Sequence, residues 1–145
     1  MKNASNKYLN PYYFISILFG VILAETEENL NQNIETATFG AGCFWCVEAI
    51  FETLDGVMDV QAGYAGGNVN NPSYEDVCAG TTGHAEVIQI IYNADVITFD
   101  KLLNIFWASH DPTTLNQQGA DIGTQYRSVI FHHNEVQEKI SKESM

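Results

Sequence analysis

Hydrophobic and polar positions along this chain follow two periods, and each change of period marks a predicted element. From 35 to 39, Thr36 and Thr38 alternate with Ala37 and Phe39, which predicts a strand running into Gly40-Ala41-Gly42. Val47, Ile50, Phe51 and Leu54 then recur at helical spacing, with Glu48, Glu52 and Asp55 on the other face. The prediction is a helix over 43–54 that stops at Asp55-Gly56. Residues 57–62 alternate weakly and read as a second strand. The stretch 63–84 is rich in Gly and Asn and contains Pro72, with a short helical turn expected over 74–78. A connection of that length inside a compact domain is usually functional or disordered, and its aromatics with the Gly66-Gly67 pair favour the first.

Residues 85–92 are apolar and β-branched, a strand. Thr98 can cap a helix whose Phe99, Leu102, Leu103 and Phe106 form one stripe. A polar loop over 109–125 leads to a strand at 126–131, and Asn134 with Gln137 three residues on opens a last helix. This order predicts an α+β fold, a ferredoxin-like split β-α-β sandwich with long functional loops and with helices on one face of a mixed sheet.

The start of the chain has a different pattern. Lys2 and Lys7 precede an apolar run over 12–24, and Glu25-Thr26-Glu27-Glu28 follows. A basic start, a short apolar core and a small residue at Ala24 are the order of a secretory signal. The run is short for a membrane-spanning helix. Residues 1–24 are therefore read as a signal peptide, with an N-terminal anchor as the alternative, 25–34 as a linker and 35–145 as the domain. Export to the periplasm or the exterior is the expectation, which a mass measurement of the natural protein decides.

All 18 acidic residues lie beyond Ala24 and two of the six basic ones before it, so loss of the leader leaves four against 18, a net charge of −14. So acidic a chain is a poor candidate for nucleic acid or an anionic membrane surface. Three cysteines are an odd number for an exported protein, so they cannot all sit in structural bridges.

Cys43 and Cys46 stand one helical turn apart where a Gly-terminated apolar segment gives way to the first helix. Backbone N–H groups without partners and the helix dipole favour an anion at such a place. A thiolate is such an anion, and it is the nucleophilic form of cysteine. The rival reading is half of a zinc site. Zinc takes four ligands, however, no second Cys pair exists, and His84, His110, His132 and His133 show no completing spacing. Cys78 is expected to be buried and inert, His84 to be a structural hydrogen-bonding group, and Tyr64 to belong to a turn.

Several stretches together resemble peptide methionine sulfoxide reductase A. They are Gly42-Cys43-Phe44-Trp45, Gly63-Tyr64-Ala65-Gly66-Gly67, Asn71-Pro72-Ser73-Tyr74-Glu75-Asp76-Val77-Cys78 and Gly80-Thr81-Thr82-Gly83-His84-Ala85-Glu86. Phe106-Trp107, Ser109-His110-Asp111-Pro112-Thr113-Thr114-Leu115-Asn116 and Asp121-Ile122-Gly123-Thr124-Gln125-Tyr126-Arg127-Ser128 continue the likeness. It runs nearly unbroken from Thr36 to about Ile140.

The resemblance implies thiol-dependent reduction of free or peptide-bound methionine (S)-S-oxide, with no cofactor and no metal. Cys43 would attack the sulfoxide sulfur as thiolate, and Glu86 would supply the proton as a carboxyl kept neutral by partial desolvation. Tyr74 and Tyr126 would hydrogen-bond the oxygen, Asp121 would assist, and Phe44 with Trp45 would receive the S-methyl group. The sulfenic acid left on Cys43 would condense with a second thiol to a disulfide.

The commonest family pattern has Gly three residues after the nucleophile and resolving cysteines near the C-terminus. This chain has Cys46 there and no cysteine beyond Cys78, as in a minority Cys-Phe-Trp-Cys form. The resemblance therefore makes Cys46 the resolving thiol and a thioredoxin-like dithiol the reductant. The family pattern also continues past the last helix, whereas this sequence ends at Lys142-Glu143-Ser144-Met145, so a domain truncated at its C-terminus is expected. The alternative function is an inactive truncated homologue or a non-catalytic thiol- or zinc-binding module.

Overall fold

The computed structural model describes residues 32–145. The expected leader, and the linker up to residue 31, lie outside the described residues. Ile34, assigned to the linker from sequence, is already the first residue of strand β1, Ile34–Ala41. Helix α1, Phe44–Phe51, follows, then β2, Val57–Ala65, and a five-residue helix α2, Tyr74–Cys78. Strand β3, Ala85–Asn93, leads to helix α3, Phe99–Ser109. The polar stretch beyond holds a small hairpin, β4 (Gln117–Gln118) with β5 (Asp121–Ile122), and a 3-10 turn, Thr124–Tyr126. Strand β6, Ser128–Phe131, and helix α4, Glu135–Ser144, complete the order.

The main sheet runs β2-β3-β1-β6, and all three neighbour pairs are antiparallel. The expected mixed sheet is thus corrected. β1 and β2 are parallel to each other, but β3 returns between them, so the split β-α-β unit contains no parallel ladder. Pairing of Ala37 with Ile90, Phe39 with Ile88 and Val60 with Ile90 puts these side chains on one face.

Against that face α1 lays Phe44, Val47 and Phe51, and α3 lays Phe99, Leu102, Leu103 and Phe106. Phe39 is at the centre, its ring 4.9 Å from Phe106 and 5.9 Å from both Phe51 and Phe99. The α3 stripe is buried as its spacing predicts. In α1, Phe44, Val47 and Phe51 share the buried face and Ile50 turns outward, while Leu54, beyond the end of the helix at Phe51, still packs against the core.

The opposite face carries Thr38, Val87, Val129 and Phe131, and the Gly-rich loop passes over it. A Cβ at Gly66, whose φ is +79°, would stand 2.7 Å from the Phe131 ring, so the loop approaches this closely only with glycine there. Where β6 ends, α4 takes over the edge of β1. Asn134 accepts from the Gln137 amide at 2.8 Å as the cap expected from sequence. The buried Gln137 side chain then donates to the Thr36 carbonyl at 2.8 Å.

Candidate active site

β1 and β2 end, and β3 begins, at the same end of the sheet, and the residues singled out from sequence gather there. Cys43 follows β1 as the N-cap of α1, one position ahead of the first helical turn in which it was expected. It is half-buried, Cys46 is exposed, and both are free thiols. A hydrogen bond with Cys43, and the charge Cys43 carries when ionised, push the Cys46 thiol up from its ordinary value, so Cys46 is held as a thiol.

Glu86 opens β3 and is 2 % exposed. Its position is in phase with Ile88 and Ile90, so its carboxyl faces the helices and accepts the Phe44 N–H at 3.2 Å. The acid therefore caps the helix that presents the thiol. Burial raises the Glu86 carboxyl above the usual carboxylate range; the Phe44 N–H opposes that shift and the charge of Asp121 adds to it. Tyr64, on β2, pairs directly with Glu86, and its ring centroid lies 5.6 Å from that of Phe44. The hydroxyls of Tyr64 and Tyr126 are both raised, first by burial and then by the charge of Glu86.

Helix α2 brings Tyr74 to the rim. A capping box starts the helix: Ser73 Oγ accepts from the Asp76 N–H at 3.2 Å and Asp76 Oδ2 from the Ser73 N–H at 3.0 Å. The Tyr74 ring stacks on Trp45 at 6.2 Å and 19°. Its hydroxyl, hydrogen-bonded to the Cys78 thiol, is pushed up to about 12 and so stays protonated. Trp45 is 60 % exposed, whereas Phe44 beside it belongs to the core. Asp121 is exposed on β5, and its charge reaches Glu86, Tyr126 and Cys46. The hairpin that carries it sits on Gly42, where a Cβ would stand 2.7 Å from Gln118 Cβ.

Three features differ from the sequence reading or go beyond it. Cys78 is exposed, not buried, because the five-residue α2 turns only Val77 inward. Tyr64 faces the acid and is more than part of a turn; its phase with Val60 and Ala62 would have placed it, had the strand been read as far as Ala65. Gln125 was given no role, yet it is buried beside Tyr126, and its Oε1 has no hydrogen-bond partner among the described residues. His84 serves structure as expected. Its Nδ1 accepts from Gly67 N–H at 3.2 Å and its Nε2 bonds the Val69 carbonyl at 2.8 Å, tying the two arms of the Gly-rich loop together.

The site thus sets a thiol at the N-cap residue of α1, a second thiol one turn on and a buried carboxyl that accepts the first helical N–H, with the exposed Trp45 and Tyr74 rings stacked at its rim. The family model described as peptide methionine sulfoxide reductase matches residues 35–145, and the chain belongs to that family. Among its relatives, the peptide methionine sulfoxide reductase MsrA of Saccharolobus solfataricus is 57 % identical over 110 residues, 76 % of this chain and 62 % of that protein. Across four curated relatives of that name, the chain spans between 60 % and 65 % of their length. The solved methionine sulfoxide reductase A of Corynebacterium diphtheriae superposes with a TM-score of 0.73 and 37 % identity, over 79 % of this chain and 54 % of that one. Mxr1 of Saccharomyces cerevisiae in complex with Trx2 superposes with a TM-score of 0.51 and 31 % identity, over 76 % and 65 %.

Proposed function

We propose that this chain reduces methionine (S)-S-oxide, free or within a peptide, to methionine. The observation that carries the reading is the hydrogen bond from the N–H of Phe44, the residue after the N-cap Cys43, to Glu86, a buried carboxyl raised by desolvation. A sulfoxide sulfur becomes electrophilic when its oxygen is protonated, and the two groups supply the nucleophile and the proton together. Cys43 attacks the sulfur, Glu86 protonates the oxygen, and Tyr126 and Tyr74 donate hydrogen bonds to it as charge shifts. The hydroxyl then passes from the methionine sulfur to the Cys43 sulfur as the S–O bond of the sulfoxide and the transient S–S bond both break, the electron pair stays on the methionine sulfur, and methionine leaves Cys43 as a sulfenic acid.

Cys46 then attacks the Cys43 sulfur, water departs with the oxygen, and a Cys43–Cys46 disulfide forms. The two sulfurs lie on one face of the helix start, so closure requires little movement. An external thioredoxin-like dithiol reduces the disulfide and is itself oxidised. The complex of the related Mxr1 with Trx2 supports that class of partner. Trp45 and Tyr74 form the open shelf for the S-methyl group, with Phe44 as its floor.

The test is incubation of the chain with N-acetyl methionine sulfoxide and dithiothreitol. Loss of the S epimer alone is expected; no turnover, or loss of the R epimer, rejects the reading. With Cys43→Ser no methionine forms. With Cys46→Ser one methionine forms per enzyme in the absence of reductant and no intramolecular disulfide appears, and a disulfide that still formed would remove Cys46 from its role.

A further inference from the structure

Glu86, Tyr126 and Tyr64 reach the site from three segments: the start of β3, the 3-10 turn and the end of β2. The only arginine of the chain sits where the three meet. Arg127 Nη1 donates to the Thr124 carbonyl at 2.7 Å, and Nη2 donates to the Gly83 carbonyl at 3.2 Å. A Cβ at Gly66 would stand 3.2 Å from Nη2, so the turn after β2 also lies against the guanidinium. Gly83 is three residues ahead of Glu86, Thr124 two ahead of Tyr126, and Gly66 two beyond Tyr64. Among the described residues no carboxylate lies within ion-pair distance of Arg127. Its bonds go to main-chain carbonyls, and a half-buried cation spent on carbonyls alone fixes backbone and neutralises no acid.

We propose that Arg127 is a positioning residue: its fork holds the loop before Glu86 and the turn before Tyr126 at a fixed separation, so that the carboxyl and the hydroxyl converge on one oxygen. The inference rests on the sulfoxide-reductase reading for the identity of that oxygen. The clamp itself rests only on the two carbonyls. Two donors on separate nitrogens of one rigid plane can span them, whereas the single ammonium of lysine is a point donor on a flexible stem. Charge alone is therefore not enough, and Arg127→Lys should behave as a loss.

Full chains carrying Arg127→Lys and Arg127→Ala provide the test, with three measurements on each. The first is kcat and KM for N-acetyl methionine (S)-sulfoxide, with and without added guanidinium chloride at low concentration. The second is the pH titration of the Glu86 carboxyl by carbon NMR, assigned by difference against Glu86→Gln. The third is thermal unfolding. Both variants should lose kcat by ~10–100-fold, the scale of a catalytic group misplaced by about an ångström, while KM moves less than about threefold. The Glu86 titration should drift toward the ordinary carboxylate range as water enters. Guanidinium should restore part of kcat in the alanine variant and none in the lysine variant.

Wild-type kcat in Arg127→Lys would overturn the proposal. So would a loss of kcat that follows only the unfolded fraction while the Glu86 titration stays in place. A wild-type chain that does not turn over rejects the sulfoxide reading and leaves the clamp to the titration. A shifted Glu86 in the variants then supports it, and an unshifted one ends it.

Discussion

Glu86 is held between two opposing influences, and the balance sets its pH dependence. Burial favours the neutral carboxyl, while the Phe44 N–H favours the carboxylate that remains after the proton leaves. The folded pKa is raised, so the fold binds this proton more tightly than the unfolded chain does. The stability it contributes is present at low pH and is lost as pH rises through the raised value. The proposed sulfoxide step should lose rate over the same rise. Glu86→Gln keeps an acceptor for Phe44 N–H but has no acidic proton. It should lower kcat/KM by ~10²–10⁴-fold and abolish that alkaline limb, which steady-state rates between pH 5 and 9 will check. The motifs that singled out Cys43, Glu86 and Tyr126 meet at one end of the sheet, where Glu86 accepts the N–H that follows Cys43 and its charge reaches Tyr126. For Tyr64 phase gives only the face it shares with Val60 and Ala62; its place opposite Glu86 is set by pairing between strands separated by the Gly-rich loop.

At the scale of elements, caps were the most readable feature. Thr98 accepts from the Lys101 N–H at 3.2 Å and Asn134 from that of Gln137, each at the position its residue type predicts. Ser73 is the cap that matters for the site, since it fixes the first turn of the helix that holds Tyr74 against Trp45. Ser73→Ala should destabilise that helix by about 1 kcal/mol. Faster amide exchange at Asp76 and Val77 and a lowered kcat/KM are the expected outcome. Element ends were less legible. The strand expected over 126–131 begins only at Ser128, because Tyr126 is drawn into the 3-10 turn that buries Gln125. The predicted loop over 109–125 conceals a hairpin whose strands are two residues each, too short to show alternation.

For the whole molecule, periodicity identified the four strands of the main sheet but not their order. Nothing local in β1, β2 or β3 tells that the third inserts between the first two; that follows from burying one common face beneath α1 and α3. Phe39 is where these layers meet. Phe39→Ala should cost about 3–5 kcal/mol, a large part of the stability of a domain this size, and a lowered urea midpoint measures it. Glu86, the proposed proton donor, lies in β3, which pairs on both sides, and is bonded to the first helical N–H after Cys43. The proposed chemistry and cooperative folding therefore share the same residues. On that reading a partly melted molecule has no working centre, so the turnover left in a heated sample should count its intact copies.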